Sequence, residues 1–176
     1  MNNNFYNKIL IVIILSLSCF SAKADGNKDT GIHQYEFYFG TFDTIDKEGD
    51  EKANMYGFEH KNLTLFKDTF LGRFSPISGG FFTDKNSIYL YTGIQGQYAV
   101  GPLKILPSFA PGYYNAGDGK DLGLALEFKS EIKLAFDILE NLQIGFAYSH
   151  ISNNDWGKDG KNPGVNNKTI SLAKTF

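Results

Sequence analysis

Hydrophobic and polar residues alternate strictly through the middle of the chain. Between positions 122 and 138, Leu122, Leu124, Leu126, Phe128, Ile132, Leu134, Phe136 and Ile138 share one parity, interrupted only by Ser130. Glu127, Lys129, Glu131, Lys133 and Asp137 share the other. A helix with 3.6 residues per turn would mix these two sets, whereas a strand separates them onto opposite faces. The segment therefore predicts one long two-faced strand. The same period of two predicts seven more, near residues 33–42, 55–66, 70–78, 87–100, 103–115, 142–152 and 168–176. The connections fall into two alternating classes. Residues 43–54, 79–86, 116–121 and 153–167 form long polar loops, and residues 67–69, 101–102 and 139–141 form short turns. Long loops at one end and tight turns at the other are the plan of an all-β, eight-stranded, antiparallel up-and-down outer-membrane barrel.

Alternation alone does not say which face is inside. A soluble lipocalin-like barrel would turn the apolar face inward around a ligand. Three features favour the membrane barrel: strands of about ten residues or more, several charges gathered on the face opposite the apolar one, and a last strand, with Ile170, Leu172 and Phe176 on its apolar parity, that resembles the terminal assembly signal of outer-membrane barrels. Lys174 interrupts that parity close enough to the end to snorkel into headgroups. In this arrangement Glu36, Glu59, Lys61, Glu127, Lys129, Glu131, Lys133 and Arg73 project into the lumen. Eight strands enclose just enough space for side chains, so these charges are expected to pair and leave no pore.

Composition narrows the class further. The chain has 176 residues, with 17 Lys+Arg against 19 Asp+Glu. Its first 24 residues carry Lys8, an apolar run from Ile9 to Leu17 and the small-residue site Ala22-Lys23-Ala24, which reads as a cleavable secretory signal followed by one barrel domain over 25–176. Without Lys8 and Lys23 the remaining chain has a net charge of about −4, which does not suit a nucleic-acid partner. The single cysteine, Cys19, falls inside the signal, so disulfide and thiol chemistry are not expected in the exported chain.

Of the three histidines, His33, His60 and His150, only the last has informative neighbours. Ile144, Phe146, Tyr148, His150 and Ser152 share one strand face, so the apolar stripe ends at the outer rim in an imidazole and a hydroxyl two residues apart. A base beside a nucleophile is what acyl transfer requires. A histidine and a serine at a strand end equally suit interfacial residues that mark where lipid gives way to water. The loop 155–162 and the segment 115–121 read as solvated turns, and no metal-ligand spacing stands out. Lys85, Lys120, Lys158 and Lys161 lie in the outer loops, where they are either solvated or within reach of lipid phosphates.

His150-Ile-Ser152-Asn153, followed by Asn162-Pro163-Gly164-Val165 and a final strand ending in an aromatic, resembles the C-terminal motif of PagL-type lipid A 3-O-deacylases, also described as acyloxyacyl hydrolases. The stretches Pro107 to Tyr114 and Asp121 to Ser130 are similar to that family too, and the likeness runs from about Met55 to Phe176. The resemblance implies an eight-stranded outer-membrane esterase that acts on lipid A of lipopolysaccharide without a metal or cofactor. It implies Ser152 as nucleophile, His150 as general base, and Asn153 and Asn162 as candidates for oxyanion or substrate contacts.

The chain departs from the family pattern where an acid is expected two positions after the glycine of Asn-Pro-Gly, because that position is Asn166. Counting back from Phe176 places Asn166 on the outward face with Ile170 and Leu172, as a partner for His150. An amide can hold the imidazole but gives the imidazolium no charge, and in a serine triad Asp-to-Asn costs on the order of 10⁴ in turnover. The longer loop before Asn162 offers Asp155 or Asp159 as a replacement acid. Three readings follow: a lipid A deacylase, an inactive barrel serving as a structural or surface interaction protein, and a soluble ligand-binding barrel.

Overall fold

The computed structural model describes residues 32–45, 52–157 and 160–176. The expected signal, residues 1–24, and Asp159 lie outside them. Nine strands form one antiparallel sheet: β1 (His33–Phe42), β2 (Ala53–Asn62), β3 (Lys67–Thr69), β4 (Gly72–Thr83), β5 (Ile88–Val100), β6 (Leu103–Asn115), β7 (Leu126–Leu139), β8 (Leu142–Ser152) and β9 (Val165–Thr175). Eight of them close into a barrel, with β1 between β2 and β9 and the ring completed by pairing of β2 with β4. The three-residue β3 is a hairpin partner of the start of β4 in the turn region.

Burial alternates along each strand and reveals which face is inside. On β7, Glu127, Lys129, Lys133 and Ala135 are buried while Ile132, Leu134 and Phe136 are exposed. Phe37, Phe39, Leu90, Phe146 and Leu172 join the outward apolar belt. Polar residues inside and large apolar residues outside are stable only with lipid against the outer wall. The lipocalin-like alternative requires the reverse.

The lumen is packed in two layers. Towards the long-loop end Phe42, Phe81, Tyr89, Tyr114, Leu122, Ile151 and Val165 form an apolar plug, in which the Phe42 and Tyr114 rings stack 6.2 Å apart. Deeper inside, Lys133 lies 2.6 Å from Glu36 and 3.5 Å from Glu59, and Lys129 lies 3.2 Å from Glu131. Tyr91 donates to Glu59 at 2.7 Å. Most of the expected lumen charges thus pair. Glu127 instead accepts from the Asn153 amide, and Arg73 bonds Asp68 on the β3–β4 hairpin, outside the charge cluster.

Several boundaries differ from the periodicity, among them the start of β9 at Val165 instead of 168, and three have a clear local reason. β2 ends at Asn62 because that side chain accepts the backbone N–H groups of Thr64 and Leu65, closing a turn. β4 runs on through Gly79 and Gly80, which read as a loop: a Cβ at Gly79 would stand 2.8 Å from the Tyr91 hydroxyl, so the glycine makes room for a lumen tyrosine. β7 starts at Leu126, because Gly123 has φ of +91° and turns the chain while Leu122 drops into the plug.

Candidate active site

The end of β8 and the start of β9 carry the site. In register, His150 stands opposite Asn166 of β9 on one side and Ser130 of β7 on the other, and Ser152 stands opposite Phe128. All face outward at the long-loop end, which an outer-membrane barrel directs away from the cell. The expected partnership is present in position: His150 Nδ1 lies 3.0 Å from Asn166 Oδ1. The same oxygen accepts the Tyr148 hydroxyl at 2.8 Å. With Asn166 Oδ1 receiving both bonds, the proton of a neutral imidazole sits on Nδ1 and Nε2 keeps the lone pair. Gly164, at φ of +58°, packs against the ring, and a Cβ there would come within 2.9 Å of His150 Cε1.

Ser152 follows His150 on the same face. Among the described residues its hydroxyl has no hydrogen bond to the imidazole. Catalytic hydrogen bonds are commonly long before substrate is bound.

The loop after Ser152 is tied from beneath. Asn153 is fully buried, and its amide donates to the carbonyl of Leu122 at 2.7 Å and that of Lys161 at 3.1 Å, besides Glu127. Its own backbone N–H donates to Asn162 Oδ1 at 3.0 Å, and Asn162 Nδ2 donates to Asp155 at 3.1 Å. Asn153 therefore points into the barrel and not towards a substrate outside it, and Asp155 is engaged with Asn162 and not with His150. Two consecutive left-handed residues, Asn154 and Asp155 at φ of 57° and 60°, reverse the chain directly after Asn153.

Two neighbours were not singled out as site residues by the sequence. Ser130 is visible there only as the break in an apolar parity, and Tyr148 as a member of the stripe. Their places beside His150 and Asn166 depend on register. An aromatic platform also flanks Ser152: Phe128 stacks on Phe109 at 5.9 Å and meets the edge of Trp156 at 5.4 Å.

A closed barrel with its polar face inside and its apolar face outside defines an outer-membrane protein, with His150 and Ser152 on the outer wall. The family model of lipid A 3-O-deacylase (PagL) matches residues 56–175, and the chain belongs to that family. The crystal structure of the outer membrane enzyme PagL superposes with a TM-score of 0.62 at 14% identity, over 80% of this chain and 98% of that one. A de novo designed transmembrane β-barrel superposes with a TM-score of 0.55 at 10% identity, over 85% and 98%. At those identities the superpositions speak for the fold. No curated protein matches the sequence.

Proposed function

We propose that the protein hydrolyses the ester-linked acyl chain at the 3-position of lipid A by a Ser/His mechanism. One observation carries the reading beyond family membership: Asn166 Oδ1, fixed by Tyr148, holds His150 Nδ1 and leaves Nε2 as the basic nitrogen on the outer wall. Ser152 Oγ attacks the ester carbonyl carbon while Nε2 takes its proton. The tetrahedral intermediate expels the sugar hydroxyl, which leaves with the proton from the imidazolium. Water, activated by the same nitrogen, then releases the fatty acid and restores Ser152. The Asn162 amide, exchanging Asp155 for the developing oxyanion, supplies a donor at the right rim of the site. Asn153 holds the loop that places Asn162. Lipid A enters sideways from the outer leaflet, its acyl chain already on the apolar belt.

The test is mass spectrometry of lipid A from cells expressing the wild type and Ser152→Ala. Loss of one 3-hydroxyacyl chain in the wild type alone is the expected result. Unchanged lipid A in the wild type, with the barrel inserted, overturns the reading. Loss that persists in Ser152→Ala but disappears in Ser130→Ala would move the nucleophile one strand across.

A further inference from the structure

We infer that Lys168 makes this site selective for a phosphorylated glycolipid by ion-pairing with a phosphate monoester on the substrate's sugar headgroup; the inference rests on the lipid A reading above. Lys168 lies on the outward face of β9, exposed, two residues from Asn166 and directly across from Tyr148 of β8 and Thr41 of β1. The other lysines of the barrel strands divide cleanly. Lys61, Lys129 and Lys133 are buried in the lumen, Lys104 pairs with Asp137 at the opposite end, and Lys174 sits at that end over Phe176. Among the described residues, Lys168 is the one lysine or arginine within the barrel strands that faces outward near the long loops, and it has no carboxylate partner.

The loop cations offer weaker alternatives. Lys120 is held 2.6 Å from Asp43 and Lys161 2.8 Å from Asp121, so both already have anions. Lys168 has instead an apolar groove of about 500 Å³ beside it, lined by Phe39, Ile132, Leu134, Phe146 and Ile170 together with Tyr148. A cation among such residues is unfavourable unless its stem follows the apolar wall and its ammonium reaches an anion at the headgroup boundary. An amphiphile fits this arrangement: a chain in the groove, an anionic headgroup at its mouth, and the ester next to His150. Phosphate monoesters are the anion this substrate class offers, and they form charge-assisted hydrogen bonds with an ammonium.

The source of the phosphate is the substrate itself or a neighbouring lipid, and the experiment separates them. Full-length protein carrying Ser152→Ala, in non-ionic detergent micelles, is titrated with lipid A and with chemically dephosphorylated lipid A. Binding of the phosphorylated form is expected to be about tenfold tighter or more. That ratio should collapse towards unity in the Ser152→Ala, Lys168→Gln protein and survive in Ser152→Ala, Lys168→Arg. Heat-modifiable gel mobility checks that each barrel is folded. A ratio near unity without the Lys168 change, or one that Lys168→Gln leaves intact, overturns the inference. So does a Lys168-dependent effect that appears only when phosphate-bearing phospholipids are added, which would assign the lysine to bulk lipid. In the Ser152-containing protein the same preference is expected in kcat/KM, mainly through KM. Failure to hydrolyse either substrate would remove the hydrolase reading, while the binding ratio would still decide the role of Lys168.

Discussion

In the proposed mechanism turnover depends most on Asn166. It occupies the position from which a carboxylate would both orient His150 and stabilise the imidazolium, and as an amide it performs only the first task. Asn166→Asp keeps the side-chain shape and adds the charge, so kcat is expected to rise at least tenfold, with 10⁴ as the scale of the whole effect. Steady-state hydrolysis of lipid A in micelles checks it, and an unchanged kcat would mean that charge at this position is not limiting. Tyr148→Phe removes the second hydrogen bond to Asn166 Oδ1 and frees the amide to turn its NH₂ towards Nδ1. The expected outcome is a several-fold lower kcat with little change in KM, because the hydroxyl acts through Asn166 and not on substrate; Asn166→Asp, whose two oxygens are equivalent, should make the enzyme less sensitive to the loss. Gly164→Ala combines an unfavourable φ with a contact on the imidazole, and a misplaced base costs on the order of 10² in rate.

At the scale of elements, the loop joining β8 to β9 is held to its neighbour. Asn153 bonds it to Leu122, and Lys161 reaches Asp121 at 2.8 Å. The Lys161 ammonium beside Asp121, with the Gly123 N–H, holds that carboxyl below the usual carboxylate range. A group with a lowered value contributes fully above its unfolded value and loses its contribution as the pH falls through the folded one. The protection factors of the loop amides, which divide out the intrinsic slowing of exchange in acid, should therefore hold down to the carboxylate range and fall modestly in more acidic solution, as expected for an exposed pair; Asp121→Asn should abolish that dependence. Asn153→Ala leaves buried carbonyls without a donor, a loss of about 1–3 kcal/mol for a buried group, expected as faster exchange in the same loop and lower activity with the barrel intact. The strands that position this loop were legible as a period of two, and His150, Ser152 and Asn166 were already on one face by counting. The fully buried position of Asn153 was not: its parity points inward, but only the packed carbonyls of Leu122 and Lys161 show what it does there.

The whole barrel is organised around Lys133, which stands within 4 Å of Glu36, Glu59 and Glu131. Removing the cation leaves buried carboxylates facing one another. Lys133→Met should destabilise the barrel by about 3–5 kcal/mol, seen as a lower urea midpoint in detergent, whereas joint replacement of Lys133 and Glu36 by Met should recover part of that loss. A midpoint unchanged in the single variant would mean that water or counterions reach the lumen. The same inversion of polarity, ion pairs within and an apolar belt without, turns the outward face of β8 and β9 to the lipid.

Period two is a local property of the chain, carried by side chains alternating across a pleated backbone. It determined the number of barrel strands and the shared face of His150, Ser152 and Asn166, but not the lengths of the connections: the segment 79–86 that read as a long loop is mostly strand, and the turn 67–69 is a short strand of its own. Which face meets lipid, and which residues become neighbours across strands, depends on closure and register, and these are set by contacts between distant segments. Only the closed sheet puts Ser130 and Asn166 on either side of His150, brings Tyr148 to the Asn166 amide, and stands Lys168 between Tyr148 and Thr41, because each of those meetings joins strands whose sequences contain no record of one another's alignment.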